Sequence, residues 1–370
     1  MKKAIVIVTV ILMISASPAF AAKDTSASEI TIMFTGDLMC QPTQQIAAYN
    51  GKTYNFKPTF KYVKKIFDTS DFVVGNLETL VSKSLPLARN MKFLQRKPYL
   101  NGPDTYLDAL KYAGFDAFVM ANNHVCDGGE IGINETLDAL DEKEIRHTGL
   151  FRNSKEKRYL ILEKNGIKVG ILSYATYFNE KEKFIPAAKR GVMLNPTVRS
   201  KIKADVKALK AEGADYIVAY NHCGTEFSQK ATTRQKNYGI MLAKAGVDYI
   251  IGSHPHVLQP YTLIKEKGLN PTPYIYSVGN FASAMVDPIT KETIILSLTL
   301  KKTKTGDVIL AEQKYYPCYV LDEYEGAPFV IMPEDKRYNG GFYDKAPSAL
   351  VKEVKKNFKH IHKIIGELRN

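Results

Sequence analysis

The run Val247-Asp248-Tyr249-Ile250-Ile251, followed at once by Gly252-Ser253-His254-Pro255-His256, sets the pattern for the chain. Its first five residues are rich in β-branched and aromatic side chains and read as a short buried strand. A glycine, a hydroxyl and two imidazoles come directly after it, so the strand delivers polar groups at its carboxyl end. The two histidines are separated by one residue. Alternate residues of an extended chain point the same way, which predicts that both rings enter one site.

Working outward, the same arrangement recurs four times. Ile30 to Phe34 reads as a strand ending in Thr35-Gly36-Asp37. Phe72 to Val74 ends in Gly75-Asn76-Leu77-Glu78, Ala117 to Ala121 in Asn122-Asn123-His124, and Tyr216 to Tyr220 in Asn221-His222. Amphipathic helices are expected around Phe60 to Phe67, near Thr105 to Ala113 with a stop at Gly114, and over Arg234 to Ala245 with a stop at Gly246. Val198, Ile202, Val206 and Leu209 share a further helical face that closes at Gly213. Asn165-Gly166 between two apolar runs, Tyr159 to Lys164 and Ile167 to Tyr174, predicts a hairpin. Short strands alternating with helices predict an α/β fold whose sheet is largely parallel or mixed and covered on both faces.

Beyond Asn280 the pattern changes. Thr293 to Lys301 and Val308 to Tyr315 read as a hairpin around Thr305-Gly306-Asp307. Leu321 to Pro347, rich in Pro, Gly and Tyr, is expected to be an irregular surface segment, and Ala349 to Leu368 a basic terminal helix. Residues 30–317 are taken as one domain and 318–370 as an extension packed on it.

At the amino end, Lys2 and Lys3 precede an apolar run from Ala4 to Ile14, interrupted only by Thr9. The run is short of the roughly 20 residues that span a bilayer. Small residues follow in Ala19-Phe20-Ala21, so 1–21 reads as a secretory signal cut after Ala21, with 22–29 a polar lead. The mature protein is then expected outside the cytoplasm, extracellular or associated with the cell envelope. An uncleaved segment would instead anchor it to the membrane. A net charge of +13 suits a polyanionic partner such as an anionic polymer, wall phosphates or lipid headgroups, or else marks a generally basic surface. No nucleic-acid module is recognisable. The four cysteines, Cys40, Cys126, Cys223 and Cys318, are too few for a disulfide scaffold in 370 residues. They read as buried small side chains, with one bridge or soft metal ligation as the alternatives.

In an open α/β sheet, ligands bind outside the carboxyl ends of the strands. Strands lying side by side would bring Asp37, Asn76 with Glu78, Asn123 with His124, His222, and His254 with His256 to one rim. Carboxylate, amide oxygen and imidazole suit a borderline divalent ion such as Mn, Fe or Zn, one or two of them. Four of the seven histidines lie in these clusters; His147, His360 and His362 read as structural or solvated. Taken singly, each cluster is also compatible with a hydrogen-bonded loop anchor.

In this order the motifs resemble the CapA family, which is linked to synthesis and export of poly-γ-glutamate capsules. They are Thr35-Gly36-Asp37-Leu38-Met39, Gly75-Asn76-Leu77-Glu78, Ala121-Asn122-Asn123-His124 with Asp127-Gly128-Gly129, His222-x-Gly224-x-Glu226, Gly252-Ser253-His254-Pro255-His256-Val257-Leu258-Gln259, and Tyr276-Ser277-Val278-Gly279-Asn280-Phe281. The resemblance covers roughly residues 30–285. It implies a calcineurin-like metallophosphoesterase-type core of layered αββα form with mixed sheets. Asp37, Glu78, Asn123, His222, His254 and His256 then correspond to metal ligands, Glu78 at the position that bridges two ions. His124 corresponds to the histidine that serves the leaving group, with Asp127 and Glu226 orienting ligands or touching substrate. Standard phosphoesterases carry Asp-x-His in the first motif, whereas Met39 stands at the histidine position here, so one ion lacks a usual ligand. Two functions follow from the resemblance: a metal-dependent hydrolase of the phosphoesterase type, or a non-catalytic component that binds the anionic polymer beside membrane synthase subunits.

Overall fold

The structure is a computed structural model that describes residues 28–90 and 100–369. The expected signal segment, 1–21, lies outside the described residues.

Two mixed sheets form the centre. The first takes β1 (Glu29–Leu38), β2 (Phe72–Leu77), β3 (Ala117–Val119) and β4 (Arg146–Thr148) from the first part of the chain. The second is built from β5 (Leu160–Lys164), β6 (Ile167–Ala175), β7 (Tyr216–His222), β8 (Tyr249–Ser253), β9 (Leu258–Ile264) and β10 (Thr272–Val278). The chain then returns to the first sheet with β11 (Asn280–Ala282), β12 (Glu292–Lys302), β13 (Val308–Tyr324) and β14 (Ala327–Pro333). The strand orders are β14-β13-β12-β1-β2-β3-β4, with β11 also against β1, and β5-β6-β7-β8-β10-β9. Strands β1 to β4 pair in parallel, as do β6, β7, β8 and β10, while β12 to β14, β5 and β9 join antiparallel.

The alternation of side chains along each strand builds the layers. Ile32 and Phe34 of β1 face inward with Val74 and Val119, against Val169, Ile171, Val218 and Ile251 of the second sheet. Met33 and Val73 face outward and pack with helices α1 (Pro42–Ala48), α2 (Lys64–Phe67), α3 (Asp104–Ala113) and α4 (Gly129–Glu142) through residues such as Ala48, Phe67, Leu110 and Leu137. After α5 (Ala187–Met193), helices α6 (Arg199–Ala211) and α7 (Thr233–Ala245) cover the far face of the second sheet, where Ile202, Val206 and Leu242 meet Ile217 and Ile250. The result is the expected α-β-β-α layering. Past α8 (Phe342–Lys345), the helix α9 (Ser348–Ile365) closes the inter-sheet core with Val354, Phe358 and Ile361.

Two expectations are corrected. Phe60 to Phe67 is not one helix but a 3-10 turn, Lys57–Phe60, followed after a break by the single turn of α2. Thr59, Phe60, Tyr62 and Val63 have poor helix propensity, and burial of Phe60, Val63 and Phe67 decides the local path. Leu321 to Pro347 is not irregular over its first part: β13 runs unbroken through positions 317 and 318, and β14 pairs with it. Pro328 and Pro333 obscured β14 in the sequence, yet an edge strand tolerates proline, and Val330, Ile331 and Met332 are buried. The four cysteines are free and buried, as read, with burial pushing the Cys126 thiol up to about 12. Among the described residues no helix is long and apolar enough to cross a membrane.

Candidate metal centre

The carboxyl ends of β1 and β2 in one sheet and of β7 and β8 in the other meet at a common rim. Glycine makes the approach possible. A Cβ on Gly36 would lie 1.9 Å from the Gly279 carbonyl oxygen, and one on Gly252 1.9 Å from that of Tyr276. Only a residue without a side chain lets β1 and β8 deliver the groups that follow at such close range.

Asp37 and Glu78 are both fully buried at this rim. Asp37 accepts a hydrogen bond from the Asn76 amide (2.7 Å), and its Oδ2 accepts one from the His254 backbone N–H (3.3 Å). His222 Nε2 stands 2.7 Å from Asn123 Oδ1 and 3.7 Å from Glu78 Oε1, while its Nδ1 is 2.9 Å from Ser253 Oγ. His254 Nδ1 lies 3.2 Å from His222 Nε2. His256 Nδ1 is 2.8 Å from Asn280 Oδ1 and 3.4 Å from Asp37 Oδ2, with Nε2 3.9 Å from Glu78. All six residues expected to ligate therefore converge. Two triads, Glu78-His254-His256 and Asp37-Glu78-His222, each hold their ligating atoms within 4.8 Å of one another, and Glu78 belongs to both.

Convergence of the two histidines has a different cause from the one the sequence suggested. They are not on extended chain: residues 254–256 bend away from β8, and both His254 (φ 97°) and His256 (φ 59°) adopt left-handed backbone. Such conformations are costly for residues with a side chain and collect at functional sites.

The electrostatics favour a cation. Burial, and then the Asp37 charge beside it, drives the Glu78 carboxyl well above its usual range. Both Glu78 oxygens are buried with no hydrogen-bond partner. A protein rarely leaves a carboxylate in that state unless something else satisfies it. Burial, with the neighbouring His254 and His256, holds His222 well below the usual imidazole range, and burial with His256 lowers His254 to about 3. Each of these two rings is thus uncharged near neutral pH and keeps one unprotonated nitrogen that can ligate. Burial opposes charge on His256 as well, but the Asp37 contact outweighs it and raises that group. Buried carboxylates, imidazoles and amide oxygens make a donor set that fits a divalent metal ion.

His124 sits at the edge of this cluster with its side chain partly exposed. Its Nδ1 is 3.1 Å from Asp127 Oδ2. Asp127 also accepts from Lys181 Nζ (2.6 Å) and the Leu100 N–H (3.1 Å). Burial works against the Asp127 charge, yet the contacts with His124 and Lys181 keep its carboxyl below the usual range. Glu226 is exposed and makes no hydrogen bond to the cluster, although its charge reaches Glu78 and His256. Met39 is buried, its backbone held by Ala282 and by the Tyr106 hydroxyl, and it offers the cluster no nitrogen or oxygen side-chain ligand.

Sequence reasoning missed three residues here. Tyr177 places its hydroxyl against His254 Nε2, with the two rings edge to face. Lys181 fixes Asp127. Asn280 orients His256 while its amide donates to the His256 and Thr290 carbonyls. Asn280 was visible as part of Gly279-Asn280-Phe281; Tyr177 and Lys181 lie in a connection that carried no pattern.

Comparison with known proteins agrees with the motifs. The family described as bacterial capsule synthesis protein PGA_cap matches residues 31–285. The capsule biosynthesis protein CapA of Bacillus anthracis is 28% identical over 338 residues, covering 90% of this chain and 79% of that protein. The PGA biosynthesis protein CapA of Bacillus subtilis is also 28% identical, over 77% of this chain and 71% of the relative. Among solved structures, the calcineurin-like phosphoesterase YfkN from Bacillus subtilis is 16% identical and covers 91% of this chain and 98% of its own, with a TM-score of 0.44. The Thermus thermophilus sulfate thiohydrolase SoxB covers 90% of this chain and 60% of its own at 12% identity and a TM-score of 0.46. With more than half of its length matched by one family, the chain belongs to the bacterial capsule synthesis family PGA_cap.

Proposed function

We propose that this protein is an exported, metal-dependent hydrolase of the phosphoesterase type that acts in poly-γ-glutamate capsule metabolism. The observation that carries the chemical part is Glu78: a buried carboxylate with two unpartnered oxygens, ringed by Asp37 and three imidazoles. Asp37, Glu78, Asn123, His222, His254 and His256 would hold one or two ions of Mn, Fe or Zn. Such an ion acts as a Lewis acid and lowers the pKa of bound water towards neutrality.

The chain's own groups supply the rest. His124 presents its Nε2 at the rim because Asp127 engages Nδ1. The Asp127 carboxylate keeps a proton on Nδ1, so Nε2 donates to a departing oxygen when the ring carries its second proton, a form that the adjacent carboxylate supports. Lys181 holds Asp127 in turn. Tyr177 restrains the His254 ring from the other side. The glutamate-polymer substrate is supported by family membership and by the net charge of +13, export by the Lys2-Lys3 and Ala4 to Ile14 pattern.

The test is to strip the purified protein of metal, reload it with Mn, Fe or Zn, and assay a panel of phosphodiesters together with poly-γ-glutamate. Metal-dependent cleavage that disappears in His124→Ala is expected; no cleavage with any ion would sink the hydrolase reading. Amino-terminal sequencing of protein recovered from cells should begin at Ala22. A second reading, polymer binding without catalysis beside membrane synthase subunits, is favoured by Met39, which puts a buried thioether where an imidazole ligand is usual. Full rescue of capsule formation by a His124→Ala, His256→Ala double variant would select it.

A further inference from the structure

Helix α9 carries two opposed stripes. Val351, Val354, Phe358, Ile361 and Ile365 are buried and face the inter-sheet core. At 100° per residue, Lys352, Lys356, Lys359 and Lys363 fall within a narrow sector on the opposite side, with Lys355 at its edge. All five lysines are exposed. Among the described residues none of the five forms an ion pair with a carboxylate, although ion pairs are common elsewhere on this surface. The Lys355 ammonium rests over the Tyr343 ring at 5.0 Å, and Lys336 approaches the same ring at 5.9 Å, extending the positive strip past the helix.

The helix has a fixed direction relative to the metal centre. Glu353 meets the Tyr319 hydroxyl, His362 the Tyr315 hydroxyl, and the Arg369 carbonyl accepts from Gln313. Helix α9 therefore runs antiparallel to β13. Tyr319 pairs with Glu292 at the start of β12, one residue before Thr293, which bridges to Gly279 beside the centre. The lysine strip thus starts at the end of the sheet that carries the metal centre and extends lengthwise away from it.

We infer that this strip is a docking rail for a linear polycarboxylate, separate from the metal centre. Unpaired ammonium groups repeating every three or four residues form a line about 16 Å long at 1.5 Å per residue. A line suits a chain of carboxylates laid along the helix. A lipid surface would be better served by a broad patch with large apolar side chains to insert; this sector is a narrow line of lysine heads bordered by the exposed small or polar residues Ser348, Ala349 and Glu353. Partial compensation of five like charges by a polyanion is favourable and salt-sensitive. The inference rests on the proposed function for the polymer's identity, a chain of carboxylates, and on the lysine line for where that polymer lies. Binding is read without turnover, so either can fail alone.

The experiment is fluorescence anisotropy of labelled poly-γ-glutamate titrated with the full chain, alongside co-sedimentation with phosphatidylglycerol vesicles. Reversal of Lys352, Lys356, Lys359 and Lys363 to Glu should weaken polymer binding at least about tenfold. The same four changed to Gln should weaken it less, both with unaltered thermal unfolding and unaltered cleavage of a small phosphodiester. The Asp37→Asn protein should bind the polymer as the parent does. Equal binding by the charge-reversed protein, loss of binding in Asp37→Asn instead, or capture by vesicles but not by polymer would each overturn the inference.

Discussion

At the residue scale the centre is defined by what Glu78 lacks. A buried carboxylate beside Asp37, with neither oxygen hydrogen-bonded, destabilises the metal-free fold. A ligand that binds only the native state stabilises it by about 2.7 kcal/mol at a hundredfold excess over its Kd. Chelation should therefore lower the melting temperature of the parent protein, and metal should restore it. Glu78→Gln should lose most of that increment while its metal-free form melts no lower than the metal-free parent. Thermal unfolding with and without chelator reads both, and an unchanged metal increment in Glu78→Gln would count against Glu78 as a ligand. The neighbouring Asp127 acts through His124. Asp127→Asn should cut kcat by about 10²-fold or more, in the range expected when general-acid catalysis is disabled. Lys181→Ala should cut it less. Equal kcat in Asp127→Asn and the parent would remove His124 from the proton-donor role. The ligating residues were legible because acids, amides and imidazoles are conspicuous at strand ends. Tyr177 and Lys181 were not, because only the three-dimensional path of the connection after β6 brings them in.

At the element scale, most strands and helices were legible from periodicity and glycine stops. Gly114, Gly213 and Gly246 do end helices with left-handed backbone, and Asn165-Gly166 (φ 54° and 72°) does turn the β5–β6 hairpin. Edge elements were less legible. β4 and β11 have three residues each, too few to show a period, and β14 is punctuated by prolines. The motif glycines carry information that periodicity does not. Gly252→Ala should destabilise the fold by about 2–3 kcal/mol or more, since the added methyl meets the Tyr276 backbone rather than a side chain that can move. Gly191 provides the contrast: it lies in α5 with ordinary φ and open space around its Cα. Gly191→Ala should stabilise by about 0.4–1 kcal/mol. Denaturant midpoints of the two variants check the pair, and a Gly252→Ala protein as stable as the parent would mean that β8 and β10 are not so closely apposed.

At the scale of the whole molecule, the centre joins two sheets: Asp37 and Glu78 come from one, His222 and His254 from the other. Tyr220 crosses the same interface, its hydroxyl donating to the Thr35 carbonyl at 2.9 Å. Protonation of the imidazoles is therefore coupled to global stability. His254 is held at about 3 in the fold by burial and by His256, against an ordinary value of 6.5. Between those values the unfolded chain binds more protons at this site than the native one, so stability rises with pH and is lost as pH falls below 6.5. From pH 6.5 to 5 the loss from His254 alone is about 1.6 kcal/mol, below the full 1.36 kcal/mol per unit because the unfolded imidazole is only half protonated at pH 6.5. His222, shifted the same way, adds to it. His256 works in the opposite sense, because Asp37 raises it and its contribution is greatest when it is charged. Changing His254 alone separates these effects. In metal-free protein, His254→Gln should flatten the dependence of unfolding free energy on pH between 6.5 and 5, while the parent keeps the steeper slope. Denaturant unfolding at the two pH values measures it, and parallel slopes would show that the His254 ring is not held neutral between the sheets.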